Sequence, residues 1–225
     1  MDYVFLQCLD DGCRFRFPAT TDEAKAICCP RCGGAVAVAL PAQGLKPAHH
    51  APPLVGLDLV GCLDNIRSIH NVGSMFRSAD GAGVNHLYLA GITATPEHPK
   101  LVKAALGANE TVPWTYYPNN LDAVTDLRQL GYKLWALERL RQTADMSPDY
   151  YFEYPGRLPD KLALVVGNER AGVDPAILER CDAVFGLPMA GQKASLNAAV
   201  AFGIAVYSIR FRHMSETGEA GGAGE

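Results

Sequence analysis

The sequence lacks an apolar run long enough to cross a membrane and any large excess of charge of one sign. The apolar stretch 196–209 is interrupted by Asn197 and Ser208. It falls short of the roughly 20 residues that a membrane-spanning helix needs. The first residues lack the basic and apolar regions of a signal peptide. We therefore expect a cytoplasmic protein with no membrane partner.

The net charge of −4 argues against strong nonspecific binding of nucleic acid, but the charges are unevenly distributed. Residues 1–48 carry five basic and five acidic side chains, and residues 49–212 carry fifteen and sixteen. Residues 213–225 carry no basic and three acidic side chains, so three of the four excess negative charges lie in this tail. A nearly neutral body can still present a basic face.

Three common cofactor and metal motifs are also missing. The pair Gly81-Ala-Gly83 lacks the third glycine of a dinucleotide-binding fingerprint, and it ends a helical pattern where the fingerprint would begin one. There is neither a Walker-type phosphate loop nor a His-Glu-x-x-His zinc helix. The sequence therefore supports none of these three sites.

The order of patterns along the chain predicts two domains. Residues 41–53 contain four prolines and no apolar periodicity, which is typical of a linker, and a cysteine-rich segment, 1–40, precedes them. In residues 54–212, strand-like runs alternate with helical patterns, which predicts an α/β domain with a mainly parallel sheet. Residues 213–225 are rich in Gly and Glu, and we expect them to be disordered. The predicted elements are 54–62, 71–81, 86–90, 121–130, 133–137, 162–166, 175–181, 183–187 and 195–210.

Five of the seven cysteines lie in the first 32 residues. Cys8-x4-Cys13 and Cys29-x2-Cys32 form two pairs at a separation typical of a zinc ribbon. Cys28 is an alternative third ligand, and a small metal-free domain with reduced cysteines is the alternative to a zinc site. Four protein ligands leave no open catalytic position, so a zinc ion here would be structural or would help to dock a substrate.

Three later segments, 65–84, 162–173 and 187–203, combine polar residues with glycines at the ends of predicted elements. In order and separation they resemble motifs 1, 2 and 3 of the SpoU-type RNA ribose 2'-O-methyltransferases of the SPOUT superfamily. The resemblance covers roughly residues 54–212. The matching positions are Asn71, Gly73, Arg77 and Gly83, then Gly167, Glu169 and Gly172, then Pro188, Met189, Gly191, Ser195, Leu196 and Asn197.

The resemblance implies a fold, a cofactor and partners. The C-terminal part of the sheet would form a deep trefoil knot, one of the rare exceptions to unknotted topology. S-adenosylmethionine would lie in that knot, held by backbone groups around Gly167, Leu187, Met189 and Leu196. The substrate would be tRNA or rRNA, and the enzyme would be a homodimer in which the partner often completes each site. The apolar stretch 196–209 fits a helix buried between the sheet and a second subunit.

The resemblance also implies catalytic residues. Arg77 is the family's candidate for activating the hydroxyl, although a guanidinium is a poor base. It could instead orient a phosphate or stabilise the developing alkoxide. Glu169 could hold Asn71, Arg77 or loop amides, and Ser195 and Asn197 open the last helix. Each of Asn71, Ser195 and Asn197 has the alternative role of a simple N-cap.

Other interpretations remain open at this stage. One is a noncatalytic knotted protein for RNA binding or assembly, and another is a zinc-dependent regulator with a knotted dimerisation domain. His70 is expected to be a loop residue without a role in catalysis. Trp114, with Tyr116 and Tyr117, could stack RNA bases, but an aromatic cluster on a strand more often belongs to a core.

Overall fold

A computed structural model describes residues 2–41, 52–138, 156–193 and 195–218. The chain divides into two compact units, Met1–Pro52 and Pro53–Glu225. The first unit is an antiparallel sheet in the order β2-β1-β3, with a 3-10 turn at Glu23–Lys25. Its strands are β1 (Tyr3–Cys8), β2 (Arg16–Thr20) and β3 (Val36–Pro41). Strand β3 thus includes the first residue of the predicted linker, and residues 42–51 lie outside the described residues.

The second unit contains a six-stranded, entirely parallel sheet in the order β6-β5-β4-β8-β7-β9. This confirms the predicted α/β fold with a parallel sheet. The strands are β4 (Asp58–Asp64), β5 (His86–Ala90), β6 (Trp114–Tyr117), β7 (Lys133–Leu137), β8 (Lys161–Val166) and β9 (Ala183–Phe185). The helices are α1 (Ile69–Ala82), α2 (Pro99–Ala105), α3 (Ala108–Thr111), α4 (Asn120–Gln129), α5 (Pro175–Leu178) and α6 (Ala198–Thr217).

Apolar side chains cover both faces of this sheet. On one face, Phe76 of α1 and Phe202 of α6 belong to the larger core cluster. On the other face, Leu127 of α4 and Ile177 of α5 belong to a second cluster. Central strands of a parallel sheet are buried on both sides, which explains why β8 is an unbroken apolar run from residue 162 to 166. The strands end at one common edge, where binding sites of such folds form.

Helix α6 is longer than predicted at its C-terminal end. It continues to Thr217, so the prediction that disorder begins at residue 213 is wrong for residues 213–217. His213 is only 4% exposed, and its Nε2 lies 2.8 Å from the carbonyl oxygen of Val55. This tertiary contact stabilises a segment whose composition alone favours disorder. Residues 219–225, the rest of that prediction, lie outside the described residues.

Helix α6 has twenty residues, which is roughly the length of a membrane-spanning helix. Neither it nor any other helix in the described part of the chain is both long enough and apolar enough to cross a membrane.

Helices α1 and α2 pack so closely at Gly73 that a side chain has no room. A Cβ atom there would lie 2.5 Å from the Cβ of Ala104 and 2.9 Å from its carbonyl carbon. We predict that Gly73→Ala lowers the free energy of unfolding by about 1–3 kcal/mol, because backbone must move to accept the methyl group. Urea denaturation followed by circular dichroism measures this change.

Gly81→Ala on the same helix is the matched control. Its Cβ would meet only the hydroxyl of Tyr207, the end of a side chain that can rotate away. The better helix propensity of alanine should leave this variant equal to wild type or up to about 1 kcal/mol more stable. Equal stability of the two variants would contradict the packing argument.

Candidate active site

Loops at the carboxyl edge of the sheet enclose a cavity of about 350 Å³. Its walls come from the ends of β7 and β8, from the segment after β9 and from the first turn of α6. The structure places all four residues predicted to hold the cofactor around this one cavity, together with two predicted catalytic residues. These residues are Gly167, Leu187, Met189 and Leu196, with Glu169 and Ser195.

Gly167 ends β8 in a very tight turn. A Cβ atom on this residue would lie 2.2 Å from the amide nitrogen of Val173 and 2.3 Å from the carbonyl of Gly172. Asn168 and Gly172 exchange backbone hydrogen bonds of 2.9 and 2.8 Å, and the Asn168 carboxamide oxygen accepts from the amides of Arg170 and Ala171. Glycine is therefore required here because the chain folds directly back on itself. The turn presents backbone to the cavity.

The Glu169 carboxylate joins this turn to the start of α1. It accepts hydrogen bonds from the backbone amides of Arg67 (2.9 Å) and Ser68 (3.0 Å) and from Nδ2 of Asn71 (2.8 Å). Partial burial opposes ionisation of Glu169, but these donors outweigh it and lower the pKa of the carboxyl group below its usual value. Glu169 therefore acts as a charged clamp between two loops at the sheet edge.

The same network continues from α1 to α6. Oδ1 of Asn71 accepts a 3.0 Å hydrogen bond from Nδ2 of Asn197. Oδ1 of Asn197 caps α6 by accepting from the amides of Ala199 (2.9 Å) and Val200 (3.3 Å). The N-cap alternative is thus correct for Asn197, which also bonds to Asn71. It is wrong for Asn71, because Ser68 caps α1, and for Ser195, which lies two residues before the cap of α6.

Arg77 stands apart from the other predicted catalytic residues. It is exposed on α1, nearly two turns beyond Asn71, and does not line the cavity. Among the described residues it has no hydrogen-bond or ion-pair partner. His70 was predicted to lie in a loop, but it is an exposed residue in the first turn of α1. Within one chain, the structure therefore brings together Asn71, Glu169, Ser195 and Asn197 but not Arg77.

Comparison with known proteins identifies the family of this chain. The model of the SpoU rRNA Methylase family matches residues 58–207, which include every residue of the network. The chain belongs to the SpoU rRNA methylase family. The matched segment contains the entire parallel sheet and the first half of α6.

Named SpoU relatives share a moderate level of identity with this chain. Over 149 residues it is 36% identical to the 23S rRNA guanosine 2'-O-methyltransferase RlmP of Bacillus subtilis, covering 66% of this chain and 56% of that protein. Over 171 residues it is 33% identical to the 23S rRNA guanosine 2'-O-methyltransferase RlmB of Vibrio vulnificus, covering 75% and 64%. The chain thus spans less than two thirds of the length of these relatives.

A solved SpoU structure is similar as well. The methyltransferase AviRb of Streptomyces viridochromogenes, in complex with the cofactor AdoMet, superposes with a TM-score of 0.59 at 31% identity. The match covers 71% of this chain and 62% of AviRb.

Sequence reasoning missed two polar residues that line the cavity at the sheet edge. Glu138 follows β7, lines the cavity and accepts a 2.7 Å hydrogen bond from the amide of Val173. Asn168 donates a 2.7 Å hydrogen bond from Nδ2 to the carbonyl of Asn65. The signal that could have found both is their position, because each is a polar residue at the end of a buried strand of a parallel sheet.

The N-terminal unit contains a separate candidate site, formed by cysteines. The Sγ atoms of Cys8, Cys13, Cys29 and Cys32 all lie within 4.8 Å of one another. The Cys8–Cys32 pair is 3.5 Å apart and the Cys13–Cys29 pair 3.7 Å, close to the roughly 3.8 Å between thiolates in a tetrahedral zinc site with 2.3 Å bonds. Cys28 is exposed and outside the group, so the geometry favours Cys29 as the third ligand.

The Glu169 clamp predicts a pH-dependent effect of Glu169→Gln. Because its pKa is lowered on folding, the carboxylate contributes stability above the pKa of the unfolded chain, and this stability is lost as the pH falls through the folded-state pKa. The variant should be less stable than wild type at pH 7. The difference should shrink below about pH 4.5.

Urea midpoints at several pH values measure this difference, and Glu179→Gln, at an exposed carboxylate after α5, is the control. The control should match wild type throughout. A Glu169→Gln deficit that stays constant with pH would contradict the clamp.

The cysteine geometry predicts different zinc contents for two adjacent substitutions. Purified Cys28→Ser protein should contain one zinc per chain, and Cys29→Ser should contain less because one of four ligands is lost. Elemental analysis of the protein after exhaustive dialysis measures the stoichiometry. Equal zinc contents in the two variants, or no zinc in wild type purified with zinc present, would contradict the assignment.

Proposed function

We propose that this protein transfers the methyl group of S-adenosylmethionine to a ribose 2'-hydroxyl of rRNA or tRNA. The observation that carries the proposal is the cavity at the sheet edge, in which residues from SpoU motifs 2 and 3 meet and are joined to motif 1 by hydrogen bonds. RlmP and RlmB are named as guanosine 2'-O-methyltransferases of 23S rRNA, and the structure of AviRb contains AdoMet. Guanosine is therefore the target nucleoside that we favour.

The residues around the cavity fit S-adenosylmethionine. Its volume of about 350 Å³ lies in the range of small-molecule sites. Leu187, Met189 and Leu196 supply apolar surface for an adenine ring, and the tight turn at Gly167 leaves backbone groups accessible. Glu138 and Glu169 line the same cavity, and their carboxylates suit a positively charged sulfonium. We also propose that the segments after β8 and β9 form the trefoil knot of the superfamily.

The chain's residues have distinct roles in the proposed reaction. Bound S-adenosylmethionine would supply an electrophilic methyl group: as the ribose oxygen bonds to it in line, the carbon–sulfur bond would break, S-adenosylhomocysteine would leave, and the hydroxyl proton would pass to solvent water. Glu169, Asn71 and Asn197 hold the cavity wall and α1 in fixed relation, so they are positioning residues. Arg77 is the catalytic residue. We assign its guanidinium to orientation of the RNA and stabilisation of the developing alkoxide.

Arg77 would reach a cavity through a homodimer. The exposed side of α6 carries an apolar stripe that is formed by Val200 (51% exposed), Ile204, Tyr207 and Phe211 (61% exposed). The stripe adjoins α1, because a Cβ on Gly203 of α6 would lie 3.2 Å from Oγ of Ser78. A second copy that covers the stripe would therefore also lie against α1. We propose that Arg77 of one protomer serves the cavity of the other.

The N-terminal unit would be a zinc ribbon that helps to dock the RNA. Its buried apolar core is small, with Val4, Leu6 and Ala19 as the fully buried members. A domain of this size needs a further source of stability, which a structural zinc ion would supply.

The first test of the proposed function is methyl transfer by wild type and Arg77→Ala. Each is incubated with methyl-labelled S-adenosylmethionine and unmodified tRNA and rRNA, followed by mass spectrometry of the nucleosides. We expect a labelled 2'-O-methylnucleoside with wild type and at least a hundredfold lower rate with the variant, because an electrostatic contact to the transition state is lost. Calorimetry should give the same S-adenosylmethionine affinity for both proteins.

A mixing experiment tests whether the two protomers share each site. Ala198→Trp should fill the cavity and abolish cofactor binding while Arg77 stays intact. Co-expression with Arg77→Ala should restore activity, because one site of the mixed dimer has an intact cavity and an intact Arg77. If mixed dimers form and stay inactive, Arg77 acts within its own chain. A wild-type protein that binds S-adenosylmethionine but methylates no RNA would favour the noncatalytic alternative.

A further inference from the structure

A second cavity lies at the same edge of the sheet, on the other side of β4. Its volume is about 570 Å³, and its walls are the loop after β5 and the edge strand β6. Trp114 and Tyr116 of β6 form an aromatic wall, and Ala94 and Glu97 come from the loop. The Tyr116 ring is 43% exposed, and its hydroxyl donates a 2.9 Å hydrogen bond to the carbonyl of Gly91, which fixes the ring against the loop.

Asn65 connects the two cavities directly. Its carbonyl oxygen accepts from Nδ2 of Asn168 in the first cavity, at 2.7 Å. Its Oδ1 accepts from the amide of Ile92 in the loop of the second cavity, at 3.2 Å. Asn65 adopts a left-handed backbone conformation with φ of 56°, which lets one residue bond to both loops. The loops that line the two cavities therefore meet at Asn65.

The chemistry of the second cavity suits a nucleobase better than a phosphate. The described residues that line it include an aromatic wall, the carboxylate of Glu97 and the imidazole of His98, whose Nδ1 accepts from the amide of Lys100, but no lysine or arginine. The carboxylate repels a phosphate, whereas a flat aromatic wall accommodates a base that has left its stack. The Glu97 carboxylate has one contact to Thr95, whose Oγ1 lies 3.4 Å from Oε2, and it keeps further acceptor capacity.

Two adjacent donors match a carboxylate best. Guanine presents N1–H and the 2-amino group side by side on its Watson–Crick edge, so both oxygens of one carboxylate can accept at once. Adenine, uracil and cytosine present no such pair of neighbouring donors. Glu97 would therefore favour guanine by charge-assisted hydrogen bonds.

We propose that the second cavity binds the guanine base of the target nucleotide, with Glu97 as the residue that determines base specificity. The ribose of that nucleotide then lies near Asn65, between the base and the methyl donor in the first cavity. The inference rests on the proposed methyl transfer to RNA.

The test changes one chemical group on each side of the proposed contact between guanine and Glu97. The shortest transcript that wild type methylates is synthesised with guanosine or with inosine at the target position, since inosine lacks only the 2-amino group. Wild type should methylate the guanosine RNA at least about tenfold more efficiently in kcat/KM. Glu97→Gln, which has one acceptor and a repelling NH₂ group, should lose most of that preference and keep the wild-type affinity for S-adenosylmethionine.

Three variants complete the design. Glu179→Gln removes an exposed carboxylate just after α5 and should keep the guanosine preference of wild type. Tyr116→Ala should raise KM for RNA, whereas Tyr116→Phe, which keeps the ring, should raise it much less. The proposal is overturned if Glu97→Gln keeps the full preference, or if wild type methylates a nucleoside other than guanosine. Absence of any RNA methylation by wild type would instead refute the proposed function.

Discussion

The ionised side chain of Glu169 is the contact on which the arrangement of the site depends. A carboxylate that accepts from two backbone amides and one carboxamide fixes the turn after β8 against the start of α1. Asn71 then transmits this constraint to Asn197, the cap of α6. One negative charge therefore determines how a cavity wall and two helix starts are placed. Burial alone could not do this, because apolar packing is not directional.

The parallel sheet explains why residues so distant in sequence can form this network. Asn71, Glu169 and Asn197 are separated by 98 and by a further 28 residues. Parallel strands all end at one edge, so the segments that follow β4, β8 and β9 meet there regardless of their separation along the chain. The same rule places the loop after β5 beside them, and Asn65 bonds to loops on both sides of β4.

Most of the fold could be predicted from periodicity, because the buried strands are continuous apolar runs with glycine or polar residues at their ends. The short helices α2 and α3 and the strand β6 are absent from the predicted elements, since seven or four residues give too little periodicity. The end of α6 depends on the contact of His213 with Val55, which no local pattern encodes. The local sequence also cannot choose between Cys28 and Cys29 as the third ligand, because two adjacent thiols have the same chemistry. The turn that selects Cys29 is fixed by its backbone hydrogen bonds to Gly33 and Gly34.

The exposed position of Arg77 limits what it can do within one chain. The electric field of a guanidinium surrounded by water is screened, so it cannot stabilise an alkoxide strongly. This screening would weaken if a second protomer covered α1, because the local dielectric constant would fall and the partner's cavity would lie opposite. In that dimer, the apolar stripe of α6 would supply the driving force for the contact, and α1, held by the bond of Asn71 to Glu169, would supply the position. In the proposed dimer, burial of Val200 and Phe211 would therefore be a condition for catalysis as well as for assembly.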